Sequence, residues 1–204
     1  MSAGPGGAGP GRLPARLDTP RLVLRAPVPL DAAMVNEAVL DSFEALNAWM
    51  VWAAERPSLA DSRAFCREAV RSRAAGTAGP MLMLDAADGA MVGATGYPRV
   101  DWRVPAFEVG YWCRTGCTGR GYASEAAWAL TRAAFDTLGA RRVELRIDAR
   151  NHPSIAVAER LGFELEGILR RDVRDHHGVL RDTRVYALID PAGLVDPTAA
   201  AQPR

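Results

Sequence analysis

Apolar and polar positions alternate along this chain in two rhythms. Arg21-Leu22-Val23-Leu24-Arg25 has period two and predicts a first strand. From Asp31 to about Leu46 apolar residues recur at helical spacing (Ala32, Val35, Ala38, Val39). Asp61 to Ala75 predicts a second helix with Ala64, Phe65, Ala69 and Val70 facing inward. Met81 to Leu84 and Met91 to Tyr97 predict strands, with Asp88-Gly89 as the hairpin turn between them. Ala106 to Cys113 predicts the next strand.

The strongest helical pattern runs from Tyr122 to about Leu138. Ala123, Ala126, Ala127, Leu130, Ala134 and Leu138 share one face, and Gly139 is a stop. Val143 to Ile147 alternates as a strand. A short helix then starts at Pro153, because proline is tolerated at the first helical position. Ile155, Ala158 and Leu161 form its apolar stripe, and Gly162 ends it. Phe163 to Val173 and Arg181 to Leu188 predict two last strands, joined by Asp175-His176-His177-Gly178. The order β-α-α-β-β-β-α-β-α-β-β predicts an α/β or α+β domain with a mixed sheet.

Composition narrows the function classes. A chain of 204 residues suggests one domain with tails. The expected division is a disordered tail over 1–16, rich in Gly, Pro and Ala, a single domain over 17–190, and a second disordered tail over 191–204. The net charge of +1 leaves no footprint for nucleic acid or an anionic membrane. All 25 basic residues are arginine, which excludes Schiff-base lysine chemistry and a lysine-dependent phosphate loop. Cys66, Cys113 and Cys117 form no CxxC pair and leave one thiol over, which fits reduced thiols in a cytoplasm. No apolar run approaches the ~20 residues that a membrane span needs, and no signal-peptide core is present in 1–16.

The central stretch Thr118-Gly119-Arg120-Gly121-Tyr122-Ala123-Ser124-Glu125-Ala126-Ala127 follows the strand Val109-Gly110-Tyr111-Trp112-Cys113 and enters the strongest helix. A glycine turn between strand and helix lets the backbone close in. The first N–H groups of the helix then lack partners and face an anion. A phosphorylated cofactor is expected here. A dinucleotide fingerprint is disfavoured, since Ser124 stands at the third glycine position and no βαβ unit precedes it.

This motif and the element order together resemble the GCN5-related N-acetyltransferase (GNAT) family, most closely its RimJ/RimL branch. Thr118 to Ala123 matches the family's acyl-CoA signature, Gln/Arg-x-x-Gly-x-Gly/Ala, except that threonine replaces Gln or Arg at the first position. Thr19-Pro20-Arg21-Leu22-Val23-Leu24-Arg25, Val109 to Trp112, Asn151-x-x-Ser154 and Arg160-Leu161-Gly162-Phe163 also match, over about residues 17–189. The resemblance implies a mixed, mostly antiparallel sheet of about seven strands, splayed in the middle and flanked by about four helices. It implies acetyl-CoA as cofactor, other short acyl-CoA remaining open, with no metal.

The resemblance also assigns roles. Thr118, Gly119, Arg120, Gly121, Tyr122 and Ala123 would hold the pyrophosphate, with Arg114 or Arg120 supplying the charge that Thr118 lacks. The pantetheine arm would lie between strands 107–113 and 143–148, against Val109, Tyr111, Trp112, Asn151 and Ser154. Glu108 would be the general base and Ser154 the general acid. The alternatives are a solvent-facing carboxylate for Glu108 and a serine bonded only to backbone for Ser154. Trp49, Trp52 and Trp102 would wall the acceptor, or else pack the core. Glu44 and Glu55 would attract an amine or simply be solvated. His176 and His177 read as a polar turn rather than a metal site, and Cys113 and Cys117 as structural. The expected acceptor is a small-molecule or peptide N-terminal amine, with a homodimer left open. A non-catalytic acyl-CoA-binding module is the rival function.

Overall fold

Eight strands form one sheet in the order β1-β2-β3-β4-β5-β6-β8-β7. The computed structural model describes residues 11–199. The strands are β1 (Arg16–Asp18), β2 (Leu22–Arg25), β3 (Gly79–Asp85), β4 (Met91–Asp101), β5 (Ala106–Cys113), β6 (Arg142–Asp148), β7 (Glu164–Arg174) and β8 (Leu180–Leu188). The helices are α1 (Ala32–Asp41), α2 (Phe43–Trp49), α3 (Leu59–Ala75), α4 (Tyr122–Leu138) and α5 (His152–Arg160). All strand pairs are antiparallel except β5 with β6, so the mixed architecture expected from the chain is present.

Period-two alternation sends successive side chains to opposite faces of the sheet, and each face carries its own core. Met81 and Met83 join Phe107, Val109, Leu130, Val143, Leu145 and Ile155 under α4 and α5. Leu82 and Met91 join Val35, Val39 and Cys66 under α1 and α3. Leu130 is fully buried and contributes about 1.5–3 kcal/mol by leaving water.

Four details differ from the sequence expectation. The helix expected over Asp31 to Leu46 is two helices, because Ser42 breaks it. Ser42 is buried, leaves helical geometry at φ −111° and ψ 9°, and accepts a bond on its hydroxyl from the Thr115 N–H at 3.0 Å. Helix α3 starts earlier, at Leu59, through a capping box between Ser58 and Asp61. Its buried stripe is Ser62, Cys66 and Ala69, while Ala64, Phe65 and Val70 are exposed. Small residues let α3 approach the sheet, and the larger ones point elsewhere. Finally, Arg16–Asp18 adds an eighth strand by pairing with β2.

The terminal segments are also partly ordered against the domain. Residues 1–10 and 200–204 of the two expected tails lie outside the described residues. In the described part of the first expected tail, Leu13 is 1% exposed and the Ala15 carbonyl accepts from Ala26 N–H at 2.8 Å. At the other end Val195 N–H donates to Leu161 at 3.1 Å. Among the described residues no helix is long and apolar enough to cross a membrane.

Candidate active site

The parallel pairing of β5 with β6 covers only Ala106 with Arg142, Phe107 with Val143 and Glu108 with Glu144. Beyond Glu108 the strands part. β5 continues to Cys113 against β4, and β6 continues to Asp148 against β8. The facing backbone edges of 109–113 and 145–148 therefore lack a strand partner across the gap. A cavity of about 760 Å³ opens there. Opposite Val109 the register of β4 shifts between Gly96 and Arg99. Gly96 belongs there because a Cβ on it would stand 2.4 Å from the Gly79 carbonyl oxygen.

The glycine turn follows β5. Gly119 (φ 75°) and Gly121 (φ 81°) are left-handed, and Gly121 caps α4 without a side chain. The N–H groups of Gly119, Arg120 and Gly121 meet no acceptor among the described residues. Unsatisfied amides at the start of a 17-residue helix make an anion site. Thr118 donates its hydroxyl to the Thr115 carbonyl at 3.0 Å. Arg114 is bound by Glu37 at 2.8 Å and by Asp41. The exposed Arg120 guanidinium has no ion-pair partner among the described residues, which leaves it free to meet an anion.

A polar anchor that sequence reading missed sets this turn. Glu125 is fully buried in the first turn of α4. It accepts from the Thr19 hydroxyl at 2.6 Å, from Arg21 N–H at 2.9 Å and from Arg21 Nε at 2.6 Å. Arg21 Nη1 then donates to the Arg120 carbonyl at 2.8 Å. Tyr122 donates its hydroxyl to Asp85 at 2.7 Å, tying the helix start to the end of β3. The signal was the Thr19 to Arg25 block itself, whose polar residues have no role inside a strand pair.

Glu108 lines the cavity where the strands begin to part. Its pKa is raised by burial and by Glu144, and held back by Arg99, whose Nε lies 3.4 Å from Oε2. Arg99 also pairs with Glu144, which Arg142 holds from the other side at 3.0 Å. A half-buried carboxylate with a raised pKa is a better base than a free one. Asn151 caps α5 by accepting from Ser154 N–H at 3.2 Å. The Ser154 hydroxyl has no protein partner among the described residues and lines the cavity. Tyr111 donates its hydroxyl to the Ser154 carbonyl at 3.3 Å, and burial keeps it protonated.

The cavity gathers Glu108, Val109, Tyr111, Trp112, Asn151 and Ser154 with Trp49 and Trp52. It does not take in Trp102 or the 118–123 turn. Trp102 packs edge-on to Phe107 at 5.3 Å and donates Nε1 to the Gly76 carbonyl at 2.7 Å, closing the end of α3. Glu44 is paired with Arg56, and Glu55 is exposed. The Cys113 thiol is pushed up to about 11 by burial and faces the Ala123 N–H. The His176 and His177 rings lie 4.2 Å apart, tilted by 55°, in the β7–β8 turn. Among the described residues no three His, Cys, Asp or Glu gather as metal ligands.

Comparison with known proteins agrees with this geometry. Residues 21–164 match the family described as acetyltransferase (GNAT) domain. The chain is 29% identical over 171 residues to YdaF of Bacillus subtilis (strain 168), which carries the name of a ribosomal N-acetyltransferase; the match covers 82% of this chain and 91% of YdaF. It is 32% identical over 99 residues to an uncharacterized N-acetyltransferase, p20, of Bacillus licheniformis, covering 48% of this chain. That match spans about half of the relative's length, 55%. The microcin self-immunity acetyltransferase MccE, solved with acetyl-CoA and AMP, superposes with a TM-score of 0.82 at 20% identity, covering 88% of this chain and 98% of that one. RimL, a ribosomal-protein acetyltransferase solved with coenzyme A, superposes at 0.80 with 24% identity, covering 85% and 97%.

Proposed function

This chain belongs to the acetyltransferase (GNAT) family, and we propose that it moves an acetyl group from acetyl-CoA to a primary amine by direct attack in a ternary complex in the cytoplasm. The observation that carries this reading is the parting of β5 from β6 beside a turn of unpartnered amides. The residues fit the donor. Gly119, Arg120 and Gly121 offer N–H groups, α4 offers its dipole, and Arg120 offers charge to a diphosphate. The unpaired edge of β5 offers amides to the pantetheine arm, with Asn151 and Tyr111 beside it. Acetyl-CoA supplies an activated acyl group and a thiolate leaving group.

The chain's own groups then serve three tasks. An N–H in the Val109–Tyr111 segment stabilises the negative charge that develops on the acyl oxygen. Glu108 takes the proton that the amine must lose before or during attack. As the C–S bond breaks, the Ser154 hydroxyl gives its proton to the thiolate and regains one from solvent. The acceptor is a small-molecule or peptide N-terminal amine.

Calorimetry with coenzyme A and thiol release with an amine panel test the reading together. Saturable coenzyme A binding with amine-dependent thiol release is expected. Binding without release from any amine would leave a non-catalytic acyl-CoA module. Ser154→Ala is expected to lower kcat by about 10–100-fold with the KM for acetyl-CoA nearly kept. If Tyr111→Phe lowers kcat and Ser154→Ala does not, the proton donor is the tyrosine.

A further inference from the structure

Granting acetyl transfer as above, we propose that the acceptor is an arylalkyl primary amine, held by an aromatic wall of Trp49, Trp52 and Phe65. These three side chains come from α2, the turn after it and α3, and all line the same cavity. None is used by either core. Their exposures of 36%, 57% and 41% are high for such large apolar groups. Phe65 lies off the buried Ser62–Cys66–Ala69 stripe, so α3 spends this ring on the cavity rather than on its own packing. A flat apolar ligand would recover about 25 cal/mol per Å² of the surface it covers, and ring stacking would add to that.

The charges in the cavity select the head group. Asp61, Glu108 and Asp148 line it, with Asp148 held by Arg150 at 2.9 Å and Glu108 3.4 Å from the more exposed Arg99; the lone guanidinium among its lining residues belongs to Arg146. Arg146 is already bound by Asp172 at 2.6 Å. An ammonium is therefore attracted toward Glu108, whereas a carboxylate or phosphate finds no free cation. Hydroxyl-rich amines fare poorly as well. Two of the lining hydroxyls are engaged, Ser62 accepting from Asn36 at 3.1 Å and Thr95 donating to the Gly110 carbonyl at 2.9 Å, and a third, Ser154, is assigned to the leaving thiolate. Such an acceptor would leave its own polar groups unpaired on desolvation.

The test uses the full chain with acetyl-CoA and thiol release. Tryptamine and phenethylamine are compared with ethanolamine, glucosamine, spermidine, phosphoethanolamine and a short peptide with a free N-terminal serine. Tryptamine is expected to exceed ethanolamine in kcat/KM by about 100-fold or more. Trp52→Ala is expected to collapse that ratio through KM for tryptamine, and Trp52→Phe to restore most of it. Preference for glucosamine, spermidine or the serine peptide would overturn the proposal, as would equal rates.

Binding separates this proposal from the acetyl-transfer reading. Phenethylamine is expected to change the tryptophan fluorescence saturably, and AMP, flat but anionic, is not. Absence of a saturable change with phenethylamine sinks the aromatic wall whether or not acetyl transfer occurs. Saturation by phenethylamine without thiol release from any amine leaves the wall standing and removes the chemistry.

Discussion

Arg21 bridges the buried carboxylate of Glu125 and the backbone carbonyl of Arg120, at 2.6 Å and 2.8 Å. One guanidinium from the residue just before β2 thereby holds the conformation of the glycine turn 99 residues later. Its charge also lies 5.1 Å from the Tyr122 ring centroid.

Arg21→Ala removes this brace. Glu125 keeps the Thr19 hydroxyl and one backbone N–H but loses its countercharge. A loss of about 1–3 kcal/mol in stability is expected, because a buried charged group is left short of partners. The affinity for coenzyme A should fall by about tenfold as the turn loosens. Thermal unfolding and calorimetry check the two effects separately. Arg21→Lys should recover part of the stability and less of the affinity, since an ammonium cannot span both acceptors.

The two glycines of the turn should respond differently to alanine. Both have left-handed backbones, so either substitution costs about 1–2 kcal/mol in strain. At Gly121 a Cβ would also stand 3.2 Å from Arg21 Nη2, whereas at Gly119 it meets open space. Gly121→Ala is therefore expected to weaken coenzyme A binding more than Gly119→Ala. Equal losses would mean that the brace does not transmit the change.

The rate should depend on pH through Glu108. Only the ionised carboxylate accepts a proton, so kcat/KM should climb as pH rises through its raised pKa. Glu144→Gln removes a neighbouring negative charge that contributes to that rise, so the climb should move to lower pH. Folding favours the protonated form of this group, which stabilises the fold at low pH and ceases to do so as pH rises through the folded pKa. Glu108→Gln should accordingly melt higher than the parent chain at neutral pH while losing the rising limb. A limb that survives in Glu108→Gln excludes this residue as the base.

Asp31 should govern part of the acid sensitivity. Arg25 binds both its oxygens at 2.7 Å, and Val28 N–H adds a third bond, which together lower its pKa. Its stabilisation is present above the unfolded pKa and is lost as pH falls through the lower folded value. Asp31→Asn should cost about 1.5–3 kcal/mol at neutral pH, read from the urea midpoint. That difference should shrink well below the ordinary aspartate range. A constant difference across pH would assign the cost to packing instead.

Much of the fold was legible because it rests on local periodicity. Alternation marked seven strands, and the α4 stripe marked the helix that carries the glycine turn. What escaped depended on partners distant in the chain. Ser42 breaks a helix through a bond from Thr115, and Arg16–Asp18 is a strand only because β2 pairs with it. Phe65 matched a helical stripe in sequence, yet close approach of α3 to the sheet selected Ser62, Cys66 and Ala69 instead. Trp102 and Trp49 are alike as residues, but one is consumed by Phe107 and Gly76 while the other faces the cavity.

Chain order and residue type by themselves determined seven of the eight strands, the helix α4 and the glycine turn before it, since each depends on side-chain period and glycine torsions within a few residues. Tertiary structure alone decided that β5 and β6 pair for three residues and then separate. It also decided that Glu125 and Arg21 meet behind the turn, and that Trp49, Trp52 and Phe65 line one cavity. Such contacts are selected by packing across the whole sheet, where the lowest free energy belongs to the assembly and not to any segment of it.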